Sequence, residues 1–153
     1  MNVKKHIPNS ITCCNLFVGI LAVLSAYNGS FYHVLAFVLL AAVFDFLDGM
    51  MARLLNAYSA IGKELDSLAD MISFGLLPGM IAFKLLQETP LPGWVAYFGF
   101  LLTIFSALRL AKFNIDDRQT SSFLGLATPA NAIFWSGIAI QFSGAQDWNT
   151  YLL

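Results

Sequence analysis

The sequence predicts an all-α integral membrane helical bundle, and three observations carry that prediction. Hydrophobic residues make up 58% of the chain and charged residues 11%, and the mean hydropathy is +0.71; soluble domains do not have this composition. Third, long tracts carry no charge at all. Lys, Arg, Asp and Glu are missing between Lys5 and Asp45, between Glu88 and Arg109, and between Arg118 and Asp147. A hydrocarbon core about 30 Å thick is crossed by about 20 helical residues, so each tract holds at least one span. A signal peptide does not explain the first tract. "PNSITCCNLFVGILAVLSAY" is too long for an h-region and has no small-residue cleavage site before the next apolar run.

Cut at turn signals, the tracts resolve into five spans at roughly 8-27, 31-55, 64-86, 93-113 and 129-143. The breaks are "NGS" at Asn28, "NAYSAIG" at Asn56, "QETPLPG" at Gln87, "NIDDRQTSS" at Asn114 and "SGAQDWN" at Ser143. The closing "WNTYLL" reads as the possible start of a sixth span at Trp148. With no repeat, low-complexity segment or soluble portion, residues 1-153 read as a single transmembrane domain. An N-terminus inside the cell puts Lys4, Lys5, Arg53, Lys63, Arg109, Lys112 and Arg118 on the cytoplasmic side and leaves only Lys84 outside. That is the distribution of the positive-inside rule, and it predicts a multi-pass protein of the cytoplasmic membrane whose Asp45–Asp70 stretch faces the cytoplasm.

That stretch, "DFLDGMMARLLNAYSAIGKELDSLAD", sets four aspartates and an arginine in an apolar setting. At about 100° per residue, Asp45, Asp48, Gly49, Ala52 and Arg53 fall within about 140° of the second helix, and Gly62, Asp66, Asp70 and Ser73 within about 80° of the third. The short connection between them predicts antiparallel neighbours, with all four carboxylates converging near the cytoplasmic end. Asp45 lies about 20 Å along its helix from Phe31, which is buried depth. Each unpaired charge in a span costs about 2.5 to 3.5 kcal/mol, so the quartet needs compensation that one arginine does not supply. A pair of divalent cations supplies it. Hard oxygen ligands at i, i+3 and i, i+4 on facing helices suit Mg²⁺ or Mn²⁺, and neither His nor Cys is at hand for zinc. Gly49, Ala52 and Gly62 read either as gaps admitting something bulky to the metals or as sites of close helix packing.

Other residues read more plainly. Cys13 and Cys14 are adjacent small hydrophobes without CxxC spacing, and Asn28-Gly29-Ser30 matches a glycosylation acceptor. His6 and His33 lie off the carboxylate face and read as interfacial. Trp94, Tyr97 and Trp148 form an expected outer aromatic belt, and Pro78 predicts a kink that widens a cavity.

Asp45-x2-Asp48-Gly49-x2-Ala52-Arg53-x8-Gly62-x3-Asp66-x3-Asp70 resembles the complete signature of the CDP-alcohol phosphotransferase family. "PNSIT" at Pro8 is similar to the start of that family's first span, and "SALRLAKFN" at Ser106 and "GLATPANA" at Gly125 resemble its phosphatidylserine synthase branch. The resemblance covers nearly the whole chain and implies a six-helix core, of which five spans are visible here. It implies transfer of the phosphatidyl group from CDP-diacylglycerol to the hydroxyl of L-serine, with release of CMP, in a homodimer embedded among membrane lipids. Nothing points to nucleic acid. The resemblance makes Asp45, Asp48 and Asp66 metal ligands, and Asp70 both a ligand and the acceptor of the hydroxyl proton. It gives Gly49, Arg53, Ser59 and Gly62 to the CDP-diacylglycerol side, joined by Asn9 and Thr12 near the cytidine. Arg109 is then a candidate for the serine carboxylate with Lys112 and Asn114 assisting, although Arg109 and Lys112 read equally as a basic anchor closing the fourth span.

Two other functions remain open on the residues alone. Glycerol 3-phosphate or inositol phosphate as acceptor keeps the enzyme class, but a phosphorylated acceptor calls for a larger basic cluster than Arg109 and Lys112. A cation carrier would also need buried carboxylates, yet the paired repeats and interrupted helices common in transporters are not evident.

Overall fold

The computed structural model describes residues 6–115 and 127–150, with side chains described as far as residue 143. Five helices follow in order: α1 (His6–Tyr27), α2 (Phe31–Leu54), α3 (Ala60–Gln87), α4 (Gly93–Ile115) and α5 (Thr128–Thr150). Among the described residues there is no strand. The first four helices are each long and apolar enough to cross a membrane, so the fold is the all-α multi-pass bundle that composition demands. Lys4, Lys5 and Arg118 of the charge count, Gly125 of "GLATPANA", the last residues of "WNTYLL" and the side chain of Trp148 lie outside what is described.

Helix ends form where the sequence supplies the chemistry. α1 stops because Gly29 adopts φ 74°, a left-handed conformation in which Ser30 N–H donates to Ser25 C=O at 2.9 Å and Gly29 N–H to Ala26 C=O at 3.1 Å. Asn56 does the same for α2 at φ 48°, with Ala57 N–H donating to Ala52 C=O at 2.9 Å and Asn56 N–H to Arg53 C=O at 3.2 Å. Ser59 then starts α3 four residues ahead of the expected Glu64, its hydroxyl accepting from Gly62 N–H at 3.0 Å.

α3 is α-helical over Ala60–Asp70, π-helical over Met71–Leu76 and α-helical again over Leu77–Gln87. The expected irregularity at Pro78 thus sits one turn earlier. A proline ring clashes with the carbonyl four residues back, here Phe74, and the widened turn accommodates it. α4 opens as a 3₁₀ helix over Gly93–Phe100 before becoming α-helical over Leu101–Ile115. α3 and α4 cross with backbones nearly touching: a Cβ on Gly99 would lie 2.6 Å from Phe83 N. Trp94 and Tyr97 are exposed at the start of α4.

Two expectations are corrected. The turn proposed at Ser143 is absent, and α5 runs unbroken to Thr150, so a sixth span does not begin at Trp148. Ser143 keeps its hydroxyl inside the helix by donating to Ile140 C=O at 3.0 Å, and one glycine costs a helix only about 1 kcal/mol. Secondly, α2 and α3 are less closely packed on each other than each is on α1. Their facing carboxylates leave a gap between them, and the polar residues of α1 come into it.

Core and site divide the bundle lengthwise. Val18, Ala22 and Ala26 of α1, Val34, Val38 and Ala41 of α2, Phe74, Leu77 and Ile81 of α3, and Ala132 and Ala139 of α5 form a buried apolar cluster in one part of the bundle. Small residues at these contacts let helices approach closely where no hydrophobic effect drives them together. Phe17, Leu24, Leu40, Phe46 and Ile104 are exposed on the outside, as a surface in contact with lipid requires.

Candidate active site

Four helices contribute to the polar part. Asp45 and Asp48 come from the last turns of α2, Asp66 and Asp70 from the first half of α3, Asn9, Thr12 and Asn15 from α1, and Arg109, Lys112 and Asn114 from the end of α4. One oxygen from each of Asp45, Asp48 and Asp66 lies within 4.8 Å of the other two. Asp70 stands outside this triple and lines one cavity with Asp45 and Asp66. Asp48 is 5% exposed, and the buried oxygens Asp48 Oδ2, Asp66 Oδ1 and Asp70 Oδ1 have no hydrogen-bond partner among the described residues. Buried acceptors without donors cost free energy, and carboxylates this close require a proton or a cation between them. The donor set is all hard oxygen, and Cys13 and Cys14 are exposed elsewhere. The cluster therefore fits a divalent metal of the Mg²⁺ or Mn²⁺ type better than zinc.

A cavity opens on either side of the cluster, and Asp66 borders both. The smaller, about 290 Å³, is lined by Asn9, Thr12, Asp48, Gly49, Ser59 and Gly62, together with Ala52, Tyr58 and Lys63. Here the two motif glycines differ. A Cβ on Gly49 would meet nothing within 4 Å, so its missing side chain is open cavity; one on Gly62 would lie 2.9 Å from Asn9 Oδ1 and 3.0 Å from Ser59 Oγ. The larger cavity, about 770 Å³, is lined by Asp45, Asp66 and Asp70, by Arg109, Lys112 and Asn114, and by Phe105, Leu108 and Phe113.

The structure thus brings together twelve of the thirteen residues singled out from the sequence. Arg53 is the one left out: it is exposed near the end of α2 and lines neither cavity. Asn114 is held in place, its Nδ2 donating to Ser67 Oγ at 2.8 Å while Ser67 Oγ donates to Lys63 C=O at 3.1 Å.

The sequence left two residues of this region unmarked as site residues, Lys63 and Asn15, and gave Ser73 its place on the carboxylate face without its partner. Lys63 lines both cavities, and the signal for it in the sequence is its position three residues before Asp66, on the same helix face. Asn15 is fully buried and adjoins Asp70, with an Nδ2 that makes no hydrogen bond among the described residues. Ser73 fixes the Asn15 amide by donating to its Oδ1 at 2.9 Å. A polar residue at i+3 from Thr12 was the trace of Asn15 in the sequence, whereas its pairing with Ser73 across 58 positions left none.

Comparison with known proteins agrees with this geometry. Residues 5–151 match the family model described as CDP-alcohol phosphatidyltransferase. The chain is 38% identical over 125 residues to the CDP-diacylglycerol–serine O-phosphatidyltransferase of Bacillus subtilis, covering 82% of this chain and 70% of that protein. Proteins of the same name from Mycobacterium leprae and Helicobacter pylori are 33% and 37% identical, across 94% and 82% of this chain. The chain spans only 50% and 54% of the length of those two relatives. No solved structure gives a significant match. With the family model covering almost every residue and the aspartate signature gathered around one gap, this chain belongs to the CDP-alcohol phosphatidyltransferase family.

Proposed function

We propose that the chain transfers the phosphatidyl group of CDP-diacylglycerol to the hydroxyl of L-serine, giving phosphatidylserine and CMP, as a single transmembrane catalytic domain. One observation carries the reading: an aspartate cluster stands between two cavities of different character, one lined by the motif's small and polar residues and the other by Arg109, Lys112 and Asn114. Relatives bearing the serine transferase name support the choice of acceptor.

On this reading the nucleotide occupies the smaller cavity, where Gly49 leaves room for it and Asn9, Thr12, Ser59 and Gly62 surround it. Arg53 is kept from the motif as a phosphate contact made by an exposed side chain able to reorient. Serine enters the larger cavity, where the Arg109 guanidinium binds its carboxylate with a planar fork and Lys112 and Asn114 flank it. Asp70 accepts the proton of the serine hydroxyl. The hydroxyl oxygen forms a bond to the phosphorus that carries the diacylglycerol, the bond from that phosphorus to the CMP oxygen breaks, and CMP leaves. Asp45, Asp48, Asp66 and Asp70 hold two divalent cations, Mg²⁺ or Mn²⁺, which when bound neutralise charge building on the diphosphate. The spans put the lipid tails in the bilayer. The distribution of basic residues supports a cytoplasmic N-terminus and site in the cell membrane, and the family resemblance supports a homodimer.

Labelled serine and labelled glycerol 3-phosphate, offered separately to membranes containing the protein with CDP-diacylglycerol, test the reading. Serine label in lipid together with CMP release is the expected result. Incorporation of the glycerol 3-phosphate label alone refutes the acceptor, and metal flux across vesicles without CMP release refutes the enzyme class.

A further inference from the structure

Lys63 stands where the two cavities meet, and the motif arginine Arg53 does not. Two divalent cations held by four carboxylates leave a site without net positive charge, so the diphosphate arriving there is uncompensated in surroundings of low dielectric. A cation of the chain itself is needed. In the smaller cavity Lys63 is the one basic residue among the described residues lining it, the others being neutral apart from Asp48 and Asp66. Arg53, which the motif would put in this role, lines neither cavity. Lys63 also lines the larger cavity, alongside Asp66, which borders both. It stands three residues before Asp66, one helical turn away on the same face. Among the described residues its ammonium makes a long contact, 3.4 Å to the neutral Asn114 carbonyl, which a phosphate oxygen can replace because it sets a full negative charge opposite the ammonium.

Resting on the functional reading above, we propose that Lys63 is the substrate-binding cation at the boundary of the two cavities, holding the diphosphate of CDP-diacylglycerol on the nucleotide side and the phosphate being transferred as it passes to the acceptor side. A residue confined to one cavity could bind either the leaving group or the acceptor. One that borders both can stay with the reacting phosphate throughout.

The experiment measures CDP-diacylglycerol binding by calorimetry in detergent with Mn²⁺ and no serine, then turnover with serine, for wild type, Lys63→Gln and Lys63→Arg. Lys63 is exposed near the start of α3, so both variants should fold, and a melting temperature checks that they do. Loss of a charged contact predicts binding about 10- to 100-fold weaker in Lys63→Gln, with most of it restored in Lys63→Arg, and a serine KM that moves less than about 3-fold. Wild-type binding in Lys63→Gln overturns the proposal, as does a defect confined to the serine KM or an arginine variant as weak as the glutamine one. A wild-type protein that neither binds CDP-diacylglycerol nor releases CMP overturns the functional reading and this inference with it, and the two failures are thereby told apart.

Discussion

Gly49→Ala should make the protein more stable and less active, an uncommon pairing that the geometry of the smaller cavity dictates. A Cβ at Gly49 meets nothing within 4 Å, so the folded chain accepts the methyl without strain. Alanine in a helix interior is then favoured over glycine by about 0.5 to 1 kcal/mol. The open space is not idle, however, since Gly49 lines the 290 Å³ cavity where the nucleotide is proposed to bind. Forcing a methyl into space that a ligand fills costs about 1 to 3 kcal/mol, which is about a 5- to 150-fold weaker affinity. Gly62→Ala is the contrast, because its Cβ would press on Asn9 Oδ1 at 2.9 Å and Ser59 Oγ at 3.0 Å. That variant should lose stability as well. Thermal melting in detergent and the KM for CDP-diacylglycerol, measured on both variants, separate the two effects. A Gly49→Ala protein with an unchanged lipid KM would refute the assignment of that cavity to the nucleotide.

Three further outcomes follow from the same geometry. Asp70→Asn should lower kcat by about 10²- to 10⁴-fold while leaving CDP-diacylglycerol binding measurable in the presence of metal, because a proton acceptor is lost and the nucleotide-side residues are untouched; retained turnover in a CMP-release assay would remove Asp70 from that role. Arg109→Ala should raise the serine KM by about 10-fold or more with little change in the lipid KM, and equal effects on both in steady-state kinetics would make Arg109 an anchor of α4 instead. Gly99→Ala should melt lower by the equivalent of about 1 to 3 kcal/mol, since its Cβ would meet Phe83 N at 2.6 Å, while the protein that remains folded keeps both KM values because α3 and α4 cross there away from the aspartates.

How much of this was legible in the chain depended on the range over which each feature is encoded. Helical periodicity puts residues three and four apart on one face whatever surrounds them, so the convergence of Asp45, Asp48, Asp66 and Asp70 could be read from spacing. Composition alone gave the all-helical membrane bundle. Chain reversals were legible where glycine or asparagine had to adopt a left-handed conformation, as at Gly29 and Asn56. Ser143 misled, because a serine followed by a glycine has the composition of a turn and yet bonds comfortably within a helix. The π-helical turn over Met71–Leu76 has no residue signature of its own; only Pro78 announced that the ladder had to give somewhere nearby. The insertion of α1 beside both α2 and α3 is a matter of packing between distant segments, which is why Asn15 and its bond to Ser73 went unseen. Lys63 was visible, but at the end of a span a lysine that orients the chain and one that lines a cavity look alike.

The central claim is that the aspartate cluster holds divalent cations between which the liponucleotide is bound, and Mn²⁺ titration by calorimetry tests it most directly. Wild-type protein should take up Mn²⁺ saturably, more tightly when CDP-diacylglycerol is present, and Asp48→Asn, which alters one of the three clustered carboxylates, should weaken that uptake by about 10-fold or more. Absence of ion uptake in the wild type, or uptake unaffected by Asp48→Asn, would contradict it.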